Sequence, residues 1–242
     1  MLFRSLPTSL APKTLEEGYR VQAGLVARLL AARGGGAIGY KIACSNKLAQ
    51  DLLNVDAPLF GTLMSATSYA SPAKLKGSDY NVRCMEAEFG FELATDVPAG
   101  NHDAQSIRPY VKCAFACLEI VNHHHQDWTR LGAPLLVADN AIHGAWVTGA
   151  PSDAWRDIDL AKQVVTLYAE GRVVQTGSGA AVLGNPLNAL AWLANELPRH
   201  GRQLKAGDRV SSGVATDVYF AKPVERVEAD FGAIGRVAID FV

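Results

Sequence analysis

The segment Cys84-Met85-Glu86-Ala87-Glu88-Phe89-Gly90-Phe91-Glu92-Leu93 interleaves acidic and apolar residues. On a strand, successive side chains point to opposite faces. Met85, Ala87, Phe89, Phe91 and Leu93 then share one face, and Glu86, Glu88 and Glu92 the other. Neighbouring carboxylates on that face stand about 7 Å apart along the strand, and Gly90 is expected to leave a gap beside them. Such alternation is also what a half-exposed surface strand shows. Glu119 changes the balance. It lies in Ala114-Phe115-Ala116-Cys117-Leu118-Glu119-Ile120-Val121, a run with no other charge, where a carboxylate is costly unless something cationic compensates it. Lys41 is the mirror case, one ammonium in Ile38-Gly39-Tyr40-Lys41-Ile42. A buried Lys–Glu pair would be a purely structural answer. Three inward carboxylates against one Lys, however, leave excess negative charge that a hard divalent cation would neutralise. Oxygen-only ligation suits Mg²⁺ or Mn²⁺ better than zinc, so Glu86, Glu88 and Glu119 are the candidate metal ligands.

Other reactive residue types offer less. Cys113 and Cys117, followed by His123, His124 and His125, invite a zinc reading, but the two thiols sit inside an apolar run where small buried cysteines are common. Four cysteines in a chain of this length do not make a disulfide framework. The histidines titrate near neutral pH and suit acid–base work, or are solvated turn residues after a strand. Gly177-Ser178-Gly179-Ala180-Ala181-Val182 lacks the last glycine of a nucleotide loop. Ser211-Ser212-Gly213 is not a nucleophile elbow.

The elements that must position these groups follow from periodicity and caps. Thr14 with Glu17 predicts a capping box. It opens a helix to about Arg33 with Leu15, Tyr19, Leu25, Val26, Leu29 and Leu30 as an apolar stripe, ended by Gly34, Gly35 and Gly36. Ile38 to Cys44 reads as a short buried strand, and Asn46 as the cap of a second helix carrying Leu48, Leu52 and Leu53. Gln105 to about Ala114 looks helical and leads into a buried strand through Val121. Gln163 to Gly177 reads as a hairpin turning at Glu170-Gly171. Asn185-Pro186 opens a further helix, and short strands follow at Arg209–Ser212, Val218–Ala221, Arg226–Phe231 and Gly235–Val242. Helices come early and strands late, without β-α alternation. That pattern predicts an α+β fold with a large β-rich core, not a doubly wound sheet. The domain reading is an N-terminal α/β segment, 1–75, contributing Lys41, and a β-rich catalytic domain, 76–242, with one compact unit as the alternative.

With 242 residues, 49% hydrophobic and 19% charged, the chain has a globular profile. A formal net charge of −1 and the absence of a Lys/Arg run argue against a nucleic-acid partner. No apolar run nears the roughly 18 residues of a membrane span. MLFRSLPTSLAP, broken by prolines, lacks the continuous apolar region of a signal peptide, so a cytoplasmic location is expected.

Several motifs together resemble the 2-keto-4-pentenoate hydratase group of the fumarylacetoacetate hydrolase superfamily. They are Gly39-Tyr40-Lys41, Phe60-Gly61-Thr62-Leu63, Glu86-Ala87-Glu88, Leu118-Glu119-Ile120-Val121, Asp127-Trp128, Ala138-Asp139-Asn140-Ala141, Leu183-Gly184-Asn185-Pro186-Leu187-Asn188-Ala189, and Leu204 with Gly207-Asp208. The resemblance runs from about residue 14 to the end, and its specific part is the Glu-x-Glu pair with the later Glu. It implies a mixed β-sandwich roll with the N-terminal segment packed on it. It implies three glutamates holding Mg²⁺ or Mn²⁺, and a small 2-oxo acid substrate that completes the metal's coordination through its carboxylate and 2-oxo oxygens. Lys41 matches the family lysine near the reacting substrate, a proton donor or substrate anchor, and its pKa is expected to be lowered by poor solvation and a nearby cation. Asp139 and Asn140 match a motif near the substrate. A homo-oligomer is implied.

The chain departs from the pattern in three places. Ala66 falls where the hydratases carry an acidic acid–base partner. Asn185 stands for a histidine, which it replaces equally well as a helix cap. His124 stands near where the family often has an arginine, and is the second candidate catalytic residue beside Lys41. The reading that follows is a divalent-metal-dependent lyase, foremost a hydratase of a 2-hydroxypenta-2,4-dienoate-like acid in aromatic-compound catabolism. The alternatives are a 2-oxo acid decarboxylase or enol–keto tautomerase, and a non-catalytic partner subunit of a lyase complex.

Overall fold

A computed structural model describes residues 6–7 and 9–242. Residues 1–5 and 8 of the N-terminal stretch MLFRSLPTSLAP lie outside the described residues. Helix α1 (Leu15–Arg33) begins where the cap residues place it. The Thr14 hydroxyl accepts the Glu17 N–H at 3.2 Å, while the Glu17 carboxylate accepts the N–H of Lys13, at 2.7 Å, instead of closing the box on Thr14. Of the expected stripe, Tyr19 and Val26 are buried and Leu15 is exposed.

Strand β1 (Ala37–Ala43) and helix α2 (Lys47–Leu53), capped by Asn46, follow as expected. Next come β2 (Leu59–Met64), β3 (Ser68–Ala70), β4 (Ala73–Leu75) and β5 (Cys84–Leu93). The predicted helix from Gln105 is cut short. Helix α3 spans only Ala104–Ile107, Arg108–Tyr110 form a single tight turn around Pro109, and β6 (Val111–Val121) takes the rest. The cause is tertiary: β6 pairs with β5 along its whole length, from Cys84–Val121 to Leu93–Val111. Helix α4 (Gly132–Ala138) and β7 (His143–Thr148) precede the hairpin β8 (Val164–Ala169) and β9 (Arg172–Ser178). The hairpin turns at Glu170-Gly171, both with positive φ, a two-residue geometry that matches strand twist. Helix α5 (Pro186–Glu196), β10 (Arg209–Val214), β11 (Tyr219–Phe220), β12 (Glu225–Asp230) and β13 (Arg236–Phe241) complete the chain.

The strands form two mixed sheets. The larger runs β2-β1-β10-β5-β6-β7-β3, with β11 also on β5; the smaller runs β4-β13-β12-β8-β9. The pairs β1–β10, β3–β7 and β4–β13 are parallel, and the others antiparallel. Both sheets draw strands from before and after residue 76. β5 lies in the middle of the large sheet and is covered on both faces, so a half-exposed strand is ruled out there. The gap expected beside Gly90 is filled by the Phe115 ring, which a side chain at 90 would strike.

Candidate metal centre

The register of three strands assembles the site. Glu86 on β5 lies directly opposite Glu119 on β6. Lys41 on β1 is level with Ser211 on β10 and Gly61 on β2. Like charges opposite one another destabilise a sheet, so the pairing of Glu86 with Glu119 needs a compensating cation. Lys41 supplies part of it. Its ammonium stands 3.1 Å from Glu119 Oε2, with both side chains buried, and donates to the Ala141 carbonyl at 3.0 Å. That carbonyl belongs to an unusual turn: Asn140, Ala141 and Ile142 all have left-handed φ, between 51° and 54°. Such a conformation costs a non-glycine residue roughly 1–2 kcal/mol. The Asn140 amide holds it, accepting from Thr62 N at 2.7 Å and donating to Thr62 O at 2.9 Å. Gly61 leaves the room, because a Cβ there would lie 2.5 Å from the Asn140 carbonyl and 3.2 Å from Lys41 Cγ.

Glu88 and Glu119 each have one oxygen fixed by the fold. Glu88 Oε2 accepts from the Ser211 hydroxyl and from Gly213 N, the latter at 3.0 Å. Trp146 Nε1 donates to Ser211 Oγ at 2.9 Å and steadies it. Gly213 has φ 94°, and a side chain there would run into Ser45. Glu119 Oε1 pairs with His143 Nδ1 at 2.8 Å. The other oxygen of Glu88, Oε1, is buried and without a hydrogen-bond partner, and Glu119 Oε2 has only the Lys41 ammonium beside it. An orphaned buried carboxylate oxygen is expensive, and here it faces two other carboxylates. One ligand atom from each of Glu86, Glu88 and Glu119 lies within 4.8 Å of the others.

The electrostatics record the same shortfall of positive charge. Burial pushes Glu86 up to about 7, partly opposed by Lys41. Burial, with Glu119 and Glu86 adding to it, holds Glu88 well above the carboxylate range. Burial also acts to raise Glu119, but the Lys41 charge and the His143 hydrogen bond carry it below the ordinary value. Lys41 moves opposite to the sequence expectation. Desolvation acts to lower it, yet Glu119, Glu86 and Glu88 outweigh that and raise it, so the ammonium stays protonated. Three carboxylates against one ammonium therefore fit a divalent cation, and oxygen-only donors suit Mg²⁺ or Mn²⁺.

Lys41 and Glu86 line a cavity of about 430 Å³ whose walls are otherwise mostly apolar. His124 and Asp139 are elsewhere. They pair with each other at 2.9 Å and line a neighbouring cavity of about 340 Å³. Asn140 faces that second cavity too, its amide engaged by Thr62. Ala66 lies in a one-turn helix, Ser65–Thr67, and is not among the described residues lining the first cavity. All four cysteines are free and buried, and none belongs to a metal cluster among the described residues. Sequence reasoning missed His143, Ser211 and Gly213. His143 carried a usable signal, a lone imidazole in Ala141-Ile142-His143-Gly144-Ala145-Trp146-Val147; the backbone N–H of Gly213 carried none.

Comparison with known proteins agrees with this architecture. A 2-keto-4-pentenoate hydratase from Paraburkholderia xenovorans (strain LB400) is 32% identical over 227 residues, 94% of this chain and 84% of that protein. A 2-hydroxyhexa-2,4-dienoate hydratase from Comamonas testosteroni is 31% identical over 230 residues, 94% of this chain and 86% of the relative. Among solved structures, 4-oxalocrotonate decarboxylase from Pseudomonas putida G7, complexed with magnesium and adipate, superposes with a TM-score of 0.88 at 24% identity, covering 95% of this chain and 86% of that one. Residues 47–242 match the family described as fumarylacetoacetate (FAA) hydrolase C-terminal. The chain, with its two mixed sheets and its carboxylate cluster between β5 and β6, belongs to the fumarylacetoacetate hydrolase family.

Proposed function

We propose that this protein is a divalent-metal-dependent hydro-lyase that adds water to a 2-hydroxypenta-2,4-dienoate-like acid. The observation that carries the reading is the buried cluster of Glu86, Glu88 and Glu119 with Lys41 as its one ammonium and Glu88 Oε1 left without a partner. The hydratase names of relatives that align with nearly the whole chain support it. The three glutamates would hold Mg²⁺ or Mn²⁺, which supplies Lewis acidity for the enol of a 2-oxo acid. Lys41 carries three N–H donors. One is engaged by Ala141 and one lies beside Glu119, which leaves the third for a ligand in the cavity that Lys41 lines. Its raised pKa keeps that donor charged, so it anchors an anionic substrate oxygen or delivers a proton to the carbon chain. The apolar walls exclude water from the rest of the substrate.

A second reading, decarboxylation of a 2-oxo acid, rests on Ala66, which offers no acid–base group where hydration would use one. Assay of the purified protein with Mg²⁺ separates the two: loss of dienoate absorbance with a hydroxylated product supports hydration, and release of CO₂ supports decarboxylation. Turnover of neither would point to the non-catalytic partner subunit. A homo-oligomer, a cytoplasmic setting and a place in aromatic-compound breakdown go with the proposal. No helix among the described residues is long and apolar enough to cross a membrane.

A further inference from the structure

The cavity above the carboxylate cluster is chemically one-sided. At its inner end lie Lys41, 1% exposed, and Glu86. Among the described residues that line it, Lys41 is the only basic one and Asp217, which is exposed, the only other acid. Outward from the cluster the wall is made by side chains such as Leu53, Leu59 and Val214. The rim carries three large apolar groups that the fold leaves in solvent: Leu48, 68% exposed, Leu52, 53%, and Phe220, 54%. Leu48 and Leu52 stand one helical turn apart on α2, so both fall on the face that borders the cavity. Exposed apolar groups gathered round the mouth of a cavity mark a binding surface.

The volume is also larger than a five-carbon acid requires. About 430 Å³ falls within the roughly 300–1,000 Å³ of sites that enclose drug-sized ligands. A short dienoate held at Lys41 and the glutamates would leave the leucine wall against water.

We propose that the cavity selects 2-hydroxydienoic and 2-oxo acids whose far end is an uncharged alkyl or aryl group longer than that of a five-carbon acid, and rejects acids carrying a second carboxylate there. This rests on the head of the substrate being held at Lys41 and the glutamates, as proposed above. The apolar tail gains by displacing water from Leu48, Leu52 and Phe220. A distal carboxylate would lose its hydration against an apolar wall, find no Lys or Arg besides Lys41 among the described residues lining the cavity, and meet the like charge of Asp217.

Binding tests this independently of turnover. With full-length protein and excess Mg²⁺, calorimetry would measure Kd for 2-oxopentanoate, 2-oxohexanoate and 2-oxooctanoate, and for the dicarboxylate 2-oxosuberate. Each added methylene is expected to tighten binding about 3-fold, giving roughly 30-fold across the series, and 2-oxosuberate is expected to bind at least about 100-fold more weakly than 2-oxooctanoate. Leu48→Asp and Leu52→Asp change exposed side chains and should bring the octanoate-to-pentanoate ratio down towards one. Asp217→Arg should narrow the discrimination against 2-oxosuberate about 10-fold or more. A Kd independent of chain length, or 2-oxosuberate binding as tightly as 2-oxooctanoate, would overturn the proposal, as would the failure of every one of these acids to bind. The expected length series without turnover of any dienoate would instead remove the hydratase reading and leave this inference standing.

Discussion

Lys41 Nζ lies 3.1 Å from Glu119 Oε2, a contact between β1 and β6 across the two intervening strands β10 and β5. Neither side chain is more than 1% exposed. Breaking a buried pair by removing one partner costs about 3–5 kcal/mol, because the other charge is left uncompensated. Lys41→Met is therefore expected to lower the melting temperature by roughly 10 °C in the absence of metal. It should also lower kcat/KM at least about 100-fold with Mg²⁺ present. The double variant Lys41→Met, Glu119→Gln should recover part of the stability and none of the activity. A single variant with wild-type turnover would remove Lys41 from the chemistry.

The carboxylates predict a pH dependence with a definite sign. Glu86 is raised in the fold to about 7 by burial, and Glu88 moves the same way. A raised folded-state value means the fold favours the protonated form. That contribution is fully present below the ordinary carboxylate value and is lost as pH climbs through about 7. Glu119 is lowered, so its contribution is present above the ordinary value and is lost only in acid. In EDTA, the melting temperature should fall by several degrees between pH 5 and pH 8, Glu86 alone accounting for roughly 3 kcal/mol. Saturating Mg²⁺, which binds the ionised form, should abolish the fall. Identical melting curves at both pH values in EDTA would contradict the burial of an uncompensated cluster.

Asn140 holds three consecutive left-handed residues through its two hydrogen bonds to Thr62. Asn140→Ala removes both and leaves the Thr62 backbone groups unsatisfied, a loss of about 2–3 kcal/mol. Because the turn presents the Ala141 carbonyl to Lys41, kcat should fall more than KM rises. Chemical denaturation and steady-state kinetics check the two effects. A variant as stable and active as wild type would show that the turn does not need its clamp.

All four cysteines are buried, and burial raises each thiol, Cys44 to about 12. Since the thiolate is the nucleophile, a thiol reagent at pH 8 should label no cysteine in native protein and all four after unfolding. Rapid labelling of native Cys44 or Cys84, which line the cavity, would mean that the cavity opens further than described.

What was legible in the sequence follows from which forces act locally. The caps at Thr14, Asn46 and Asn185 and the Glu170-Gly171 turn are local chemistry, and each placed its element within a residue or two. The carboxylates stood out because charge in an apolar run is anomalous whatever the fold. The strand β2 gave no alternation because all six of its residues are buried. The helix expected after Gln105 lost to the long-range pairing of β6 with β5, which propensity does not see. Gly213 N and Ser211 Oγ reach Glu88 only because β10 runs beside β5. The roles expected of His124 and of Asp139 came from the family resemblance and not from local chemistry; the two side chains pair with each other and line the second cavity.

Titration of metal-free protein with Mn²⁺, followed by electron paramagnetic resonance or calorimetry, tests the central claim most directly. Wild-type protein should take up one Mn²⁺ per chain, and Glu88→Gln and Glu119→Gln should each weaken that binding at least about 100-fold while remaining folded. Wild-type protein that binds no Mn²⁺, or variants that bind it as tightly as wild type, would contradict the assignment of Glu86, Glu88 and Glu119 as the metal centre.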